Sequence, residues 1–432
     1  MSFPRYPEYK DSGVAWLGEV PAHWDVKRLK HNLRLLTEKT DRRSNPVALE
    51  NIEGWSGRFL PTETEFEGEG IAFDKGDILF GKLRPYLAKA LLAETAGEAV
   101  GDFHVMRPQA GVHARFAQYE ILNRSFIDIV DGSTFGSKMP RASWEFVGSM
   151  PLPTPPYAEQ TAIATFLDRE TAKIDALVAE QEKLIALLQE KRQAVISHAV
   201  TKGLDPNVPM KDSGVEWLGE VPGHWEVCAL KHHWTVTDCK HVTAEFVEDG
   251  YPLASIREVQ SRWVRLDEAK RTTEYFYLQL IEGGRNPQPD DLIFSRNATV
   301  GEVAQVHADH PPFAMGQDVV LLRRIEQGTS PDFAQLVLKS EVVIQQLAQC
   351  MIGSTFKRIN VEEIRSLVMA FPPPSEQNLI ATYLLGQTEK FDQLITEAVL
   401  SIELLKERRT ALISAGVTGQ IDVRSIASRE VA

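Results

Sequence analysis

Cysteine is scarce in this chain. Cys228, Cys239 and Cys350 are the only three among 432 residues. They are scattered, odd in number and form no Cys-x-x-Cys pair. A disulfide framework or a sequence-spaced metal cluster is therefore not expected, and free thiols in a reducing compartment are. No apolar run approaches the roughly 20 residues that cross a bilayer. The first residues, Met-Ser-Phe-Pro-Arg-Tyr, hold no apolar signal core. A cytoplasmic protein is the expectation. Cationic excess is lacking too: 47 Lys+Arg face 60 Asp+Glu, a net charge of -13. Phosphate neutralisation needs Lys and Arg, so the whole-chain balance argues against nucleic acid as a partner. A local basic face on an acidic protein stays open.

Catalytic signatures are also missing. No Walker A loop and no Gly-x-Ser-x-Gly elbow occurs. The histidines form no i,i+4 pair with a glutamate. Pro289-Asp290 could open a Pro-Asp…Glu-x-Lys nuclease site, but no lysine lies between Lys270 and Lys339. Phe66-Glu-Gly-Glu-Gly70 and Thr154-Pro-Pro-Tyr157 imitate the cofactor loop and the Pro-Pro-aromatic motif of amino-methyltransferases. The context fails, because a glycine turn of that kind needs a buried strand before it and a helix after it. Thr154 also stands where Asn or Asp should lead the second motif, and the second half has neither. The chain reads as non-catalytic, with no cofactor and no metal.

What is present is a duplication. Lys10-Asp-Ser-Gly-Val-Ala-Trp-Leu-Gly-Glu-Val-Pro-Ala-His-Trp24 returns as Lys211-Asp-Ser-Gly-Val-Glu-Trp-Leu-Gly-Glu-Val-Pro-Gly-His-Trp225, with thirteen of fifteen positions identical. Gly132-Ser-Thr-Phe135 returns as Gly353-Ser-Thr-Phe356. A proline-rich stretch follows each, Pro151-Leu-Pro-Thr-Pro-Pro156 and Phe371-Pro-Pro-Pro374. At a constant offset of 217, Glu159-Gln160, Ile163-Ala-Thr165, Ile174-Asp175, Lys191-Arg192 and Ile196-Ser197 match Glu376-Gln377, Ile380-Ala-Thr382, Phe391-Asp392, Arg408-Arg409 and Ile413-Ser414. The order is module, helix, module, helix.

The prolines end what precedes them, since the residue before proline avoids the α region. Residues 158–202 then run without Gly or Pro to a stop at Gly203, a helix of roughly 65 Å. Ile174, Leu177, Gln181, Leu184, Leu188, Lys191 and Val195 repeat at 3, 4, 3, 4, the seam spacing of a coiled coil. Residues 375–415 offer Phe391, Ile395, Ala398, Ile402, Leu405, Arg409 and Leu412 in the same way, with Gly386 as a weak point. Each helix could lie on its own domain; the long, similar seams favour one antiparallel pair. The expected architecture is α+β: two mixed α/β modules in pseudo-twofold arrangement, separated by two long antiparallel coiled-coil helices. The boundaries are a first module at 1–156, a helix at 157–203, a second module at 204–374, and a helix with its tail at 375–432.

Two apolar strand-like runs, Asp77-Ile-Leu-Phe80 and Asp291-Leu-Ile-Phe294, each lead into cations. The first delivers Lys82, Arg84, Tyr86 and Lys89, the second Arg296 and Asn297. Arg suits guanine and Asn suits adenine, and either loop suits phosphates. Lys138 with Arg141, and Lys357 with Arg358, follow the shared Gly-Ser-Thr-Phe and add candidate phosphate contacts. A solvated loop is the plain alternative for any one of these, and the parallel placement in both halves favours the functional reading.

Taken together, these motifs make nearly the whole chain resemble the specificity subunits of type I restriction-modification systems. The resemblance implies two target recognition domains, each reading one half of a bipartite, asymmetric DNA sequence. It implies paired helices that act as a ruler between them. It implies two methyltransferase subunits docked on the duplicated helices and restriction subunits joined through the complex. Methylation, translocation and cleavage would belong to those other chains. The departure is charge, because residues 25–150 hold 17 Lys+Arg against 18 Asp+Glu. Tight DNA binding is then expected only with the methyltransferase subunits present. The rival from another class is a two-armed scaffold without DNA specificity.

Overall fold

A computed structural model describes residues 3–42, 44–62, 68–134, 138–325, 329–351 and 358–424. The fold is α+β and divides into two units, Met1–Glu182 with Val399–Ala432, and Lys183–Ala398.

The two units are built on one plan. In the first, strands Leu33–Leu36, Phe103–Pro108, Ile78–Gly81 and Ala90–Leu92 form an antiparallel sheet in that spatial order. In the second, Trp234–Asp238, Val319–Arg324, Leu292–Ser295 and Val303–Gln305 repeat the order. The central strands carry Ile78-Leu-Phe80 and Leu292-Ile-Phe294, all fully buried. A strand covered on both faces reads as a continuous apolar run rather than an alternating one. Each run is led by a buried aspartate that pairs across the sheet. Arg107 donates to Asp77 at 2.7 and 2.6 Å, and Arg323 to Asp291 at 2.9 and 2.6 Å.

The repeated segment near each start has a mechanical role. Gly13 and Gly214 take φ of +69° and +71° and donate to Asp11 and Asp212, so a side chain there would be strained. Trp24 and Trp225 are sealed in the two cores. The indole of Trp24 donates to Glu159 at 3.0 Å and His23 Nε2 lies 2.7 Å from the same carboxylate. Trp225 and His224 hold Glu376 at 3.1 and 2.7 Å. The neighbouring Gln160 accepts from the His113 amide and donates to the Pro155 carbonyl, while Gln377 accepts from Ser330 and donates to Pro372. The shared Glu-Gln thus ties the first turn of each long helix to the module before it. The first proline-rich stretch opens as strand Pro151–Thr154 and the second follows directly on strand Val368–Phe371; these strands pair with Asp25–Arg28 and Glu226–Ala229, immediately after each His-Trp. Glu376→Gln removes the charge that two donors share. Its expected cost is about 1.5–3 kcal/mol, read as a lower urea midpoint at unchanged slope.

The long helices run Tyr157–Lys202 and Pro374–Val417. Within the first unit, residues 157–182 of one helix lie antiparallel to residues 399–417 of the other. Ile163, Leu167 and Ile174 share a core with Leu412, Ile413 and Val417, and Gly416 faces Leu167. Within the second unit, Ile196 and Val200 share a core with Ile380 and Leu384. The repeated Asp and Arg motifs meet across each pairing. Arg409 reaches Asp175 at 3.2 Å in the first unit, and Arg192 reaches Asp392 at 3.2 Å in the second.

The seam residues are unequally covered. Ile174, Phe391 and Leu412 are buried; Leu188, Val195, Ile395, Ile402 and Leu405 are half-buried. Leu177 and Leu184 are exposed at 45% and 42%. Leu187, Leu394 and Leu404 are exposed as well. At the 217-residue offset Leu177 matches Leu394 and Leu187 matches Leu404. Of these two matched pairs, each unit holds one exposed leucine on each helix.

Candidate nucleic-acid interface

In the first unit the strand Ile78–Gly81 ends and the chain is pinned on two sides. The Lys82 amide donates to Asp102 O at 2.9 Å, and the Ala142 amide donates to Lys82 O at 2.9 Å. The Arg84 amide donates to Pro140 O, and Leu83 bridges Arg141. Arg84 then takes φ +51° and Ala88 φ +48°, flanking a tight turn at Pro85–Leu87. Left-handed backbone at a non-glycine costs about 1 kcal/mol or more and is held only where the surroundings enforce it. The turn pushes Arg84, Tyr86 and Leu87 into solvent. Arg141 grips Asp102 through two bonds of 3.0 and 2.8 Å, and Lys82 sits 3.7 Å from the same carboxylate. The Arg141 guanidinium holds the Asp102 carboxyl below its ordinary range. Lys138 is exposed three residues before Arg141. Lys82, Arg84, Lys138 and Arg141 thus share this end of the unit with one paired carboxylate. Lys89 is spent elsewhere: it donates to Leu49 O at 2.6 Å, and burial lowers its pKa.

The second unit repeats the frame with other side chains. The Arg296 amide donates to Asp318 O at 3.0 Å, and the Ile359 amide donates to Arg296 O at 3.0 Å. Asn297 bridges Arg358, and Ala298 takes φ +55°. By this pattern Lys82, Leu83, Arg84, Asp102 and Arg141 correspond to Arg296, Asn297, Ala298, Asp318 and Arg358. Arg296 itself is buried, with Nη2 3.5 Å from Asp238 and 3.4 Å from His241 Nε2. It braces the loop from inside. Asn297 is half-exposed and caps its own turn, its Oδ1 accepting from the Ala298 amide at 2.9 Å. Arg358 is exposed, 4.0 Å from Asp318. Lys357, the second Gly-Ser-Thr-Phe, Phe135 of the first and Phe66 of the glycine-rich motif lie outside the described residues.

Sequence reasoning did not single out Asp102 and Asp318, the acids that hold the arginines. Their signal was positional: Asp102 follows Gly101, and Asp318 stands two residues after Gly316, each opening the strand beside the loop. Among the described residues, no helix is long and apolar enough to cross a membrane.

A family model described as the type I restriction modification DNA specificity domain matches residues 247–403. The EcoKI specificity subunit of Escherichia coli strain K12 is 24% identical over 288 residues, 63% of this chain and 58% of that one. The EcoDI specificity subunit of Escherichia coli is 23% identical over 192 residues, so the chain spans about half the length of these two relatives. The MjaVIII specificity subunit of Methanocaldococcus jannaschii is 22% identical over 444 residues, 94% of this chain and 95% of that one. The fold superposes on a chain from a structural study of type I R-M complex assembly with a TM-score of 0.66 at 17% identity, covering 92% of this chain and 98% of that one. It superposes on the HsdS subunit of Thermoanaerobacter tengcongensis with a TM-score of 0.51 at 16% identity, covering 93% and 98%. Residues 247–403 match the specificity-domain model, and the chain is similar over nearly its whole length to a type I restriction enzyme specificity subunit and shares the fold of HsdS.

Proposed function

We propose that each unit reads one half of a bipartite, asymmetric duplex site, and that the long helices fix the gap between the halves. The observation that carries this is the repeated loop frame with different contents. Both units hold a strand end between an aspartate-bearing strand and an arginine-bearing segment. One offers Lys82, Arg84, Tyr86, Lys138 and Arg141; the other offers Asn297 and Arg358. A common frame with divergent tips suits two readers that face DNA alike and read different bases. The shared Trp-Glu ties and the matched exposed leucines keep partner symmetry while the tips break it, which fits two identical methyltransferase subunits and, through them, restriction subunits. Catalysis is assigned to those chains.

The acidic balance favours a second reading, a scaffold without sequence preference. The two separate in one experiment. The chain, assembled with its methyltransferase subunits, selects sites from a randomised duplex library. A bipartite consensus supports the reader, and sequence-independent recovery overturns it. Four residues inserted after Gln181 add about 6 Å to one helix. The expected result is a changed gap or no binding; an unchanged gap overturns the ruler.

The tips also separate from each other. Arg84→Ala is expected to cost about 1–3 kcal/mol and to relax one base position if Arg84 reads a base. Lys138→Ala is expected to weaken all sites alike and to lower the salt slope by about one. Fluorescence anisotropy across salt concentrations on matched and single-mismatch duplexes checks both.

A further inference from the structure

Beside the Trp225–Glu376 tie, the second unit carries a cluster that DNA reading does not use. Glu226 and Cys228 lie two apart on the strand Glu226–Ala229, so both project from one face. His233 follows the next turn and returns to that face. One donor atom from each residue, a carboxylate oxygen, a thiol sulfur and an imidazole nitrogen, lies within 4.8 Å of the other two. His233 Nε2 is buried, lies 3.5 Å from Glu226 Oε2 and has no hydrogen-bond partner. The ring packs against Phe371, with centroids 4.1 Å apart and planes tilted by 35°. Glu226 is exposed, so the cluster opens to solvent on one side.

The first unit supplies the comparison. His23-Trp-Asp-Val-Lys-Arg-Leu-Lys-His31 aligns with His224-Trp-Glu-Val-Cys-Ala-Leu-Lys-His232, and Asn32 with His233. The paired registers agree, Lys27 opposite Leu152 and Cys228 opposite Met369. There, Lys27 places its ammonium 3.3 Å from Asp25, and Asn32 donates to Thr154. The second unit has a thiol in place of that cation and an imidazole in place of that amide, while the acid is kept. Two of three positions differ together, both toward soft or borderline metal ligands. The acid has no built-in counter-charge from its own strand.

We propose that Glu226, Cys228 and His233 bind a divalent metal ion of the zinc type, with water completing a tetrahedral shell. Carboxylate, thiolate and imidazole are all zinc ligands, and the mixture excludes calcium and magnesium, which take oxygen. A tetrahedral site with bonds of roughly 2.0–2.3 Å needs donors roughly 3.3–3.8 Å apart. Rotation of the exposed Glu226 side chain and of Cys228 closes the difference. The thiol proton leaves to solvent on binding. Without a cation, burial and the adjacent Glu226 carboxylate push the Cys228 thiol up to about 12, so it rests as a thiol. The ion restores the positive charge that Lys27 supplies in the first unit, and staples the strand that enters the second module to the turn that follows.

The test uses the full chain, stripped with chelator and titrated with Co²⁺. A sulfur-to-cobalt charge-transfer band with tetrahedral visible bands, saturating at one ion per chain and displaced by Zn²⁺, is expected. Cys228→Ser must abolish the sulfur band, while Cys239→Ser and Cys350→Ser must keep it. His233→Asn, which installs the first unit's residue, should weaken Co²⁺ binding by more than the roughly 10–100-fold lost with a supporting partner. Should a variant fail to fold, Zn²⁺ protection of Cys228 from alkylation in the unaltered chain, located by peptide mapping, decides instead. Absence of a sulfur band, a band that survives Cys228→Ser, or alkylation of Cys228 unchanged by Zn²⁺ overturns the proposal.

Discussion

Arg107→Met is expected to destabilise the first unit by about 3–5 kcal/mol, the usual cost of stranding one partner of a buried ion pair. Asp77 is 1% exposed and leads a strand whose next three side chains are buried and apolar. Its carboxylate has two supports. Arg107 approaches through Nε and Nη2, and the Asp74 amide donates at 2.8 Å. Removal of the guanidinium leaves one amide facing a buried anion. The second unit repeats the arrangement, with Asp291 held by Arg323 and by the Gln288 amide at 2.8 Å. In a unit of this size the loss corresponds to a fall of about 10 °C in the unfolding midpoint. The double replacement Asp77→Leu with Arg107→Met should recover most of it, because a well-packed apolar pair avoids desolvation altogether. A double variant no more stable than Arg107→Met would show that the carboxylate is not what the arginine serves. Differential scanning calorimetry of the full chain resolves these outcomes, since the second unit's transition serves as an internal reference.

These aspartates show what a sequence can and cannot disclose. Asp77-Ile-Leu-Phe80 and Asp291-Leu-Ile-Phe294 were legible as strands because the apolar run is local. Their arginines stand 30 and 32 residues away, and no periodicity links them. The helices were legible for the same reason: 3.6-residue spacing, proline before and glycine after all act within a few turns. The coverage of the seam was not. Leu177 and Leu184 carry the spacing of Ile174 but stand exposed, whereas Ile163 and Leu167 are sealed. A hydrophobic stripe gives a face, and what lies over it depends on chain distant in sequence. The candidate cations divide in this way too. Arg84 and Arg358 reach solvent, while Lys89 and Arg296 are turned inward by the Leu49 carbonyl and the Asp238 carboxylate. From sequence all four are equal charges in a loop. The duplication nevertheless identified the Glu-Gln, Asp and Arg positions that tie each unit together, because two copies of one structure reveal which residues the structure needs.

Where the copies disagree at a buried position, one is expected to be less stable for it. Phe116-Ala-Gln118 matches Phe333-Ala-Gln335, and two residues after each shared glutamine stand Glu120 and Val337, both buried. Glu120 Oε1 has no hydrogen-bond partner, and burial raises the carboxyl well above its ordinary range. The folded chain therefore holds this group protonated at pH values where the unfolded chain ionises it. Its stabilising contribution is complete below the unfolded pKa near 4.5. As pH rises past that value, the unfolded state loses a proton that the folded state keeps. Stability then falls by up to about 1.4 kcal/mol per pH unit until the folded group itself ionises. Glu120→Val installs the residue of the second copy and removes both the titration and the unsatisfied oxygen. It should raise stability by about 1–3 kcal/mol near pH 5, the usual cost of an unmade buried hydrogen bond, and by more at pH 7. Glu120→Gln should cancel the pH dependence without the full gain, because its amide is still unpaired. Unfolding midpoints of the unaltered chain and the two variants from pH 4 to pH 8 provide the check. Parallel curves for the unaltered chain and Glu120→Val would mean that this carboxyl titrates alike in the folded and unfolded states.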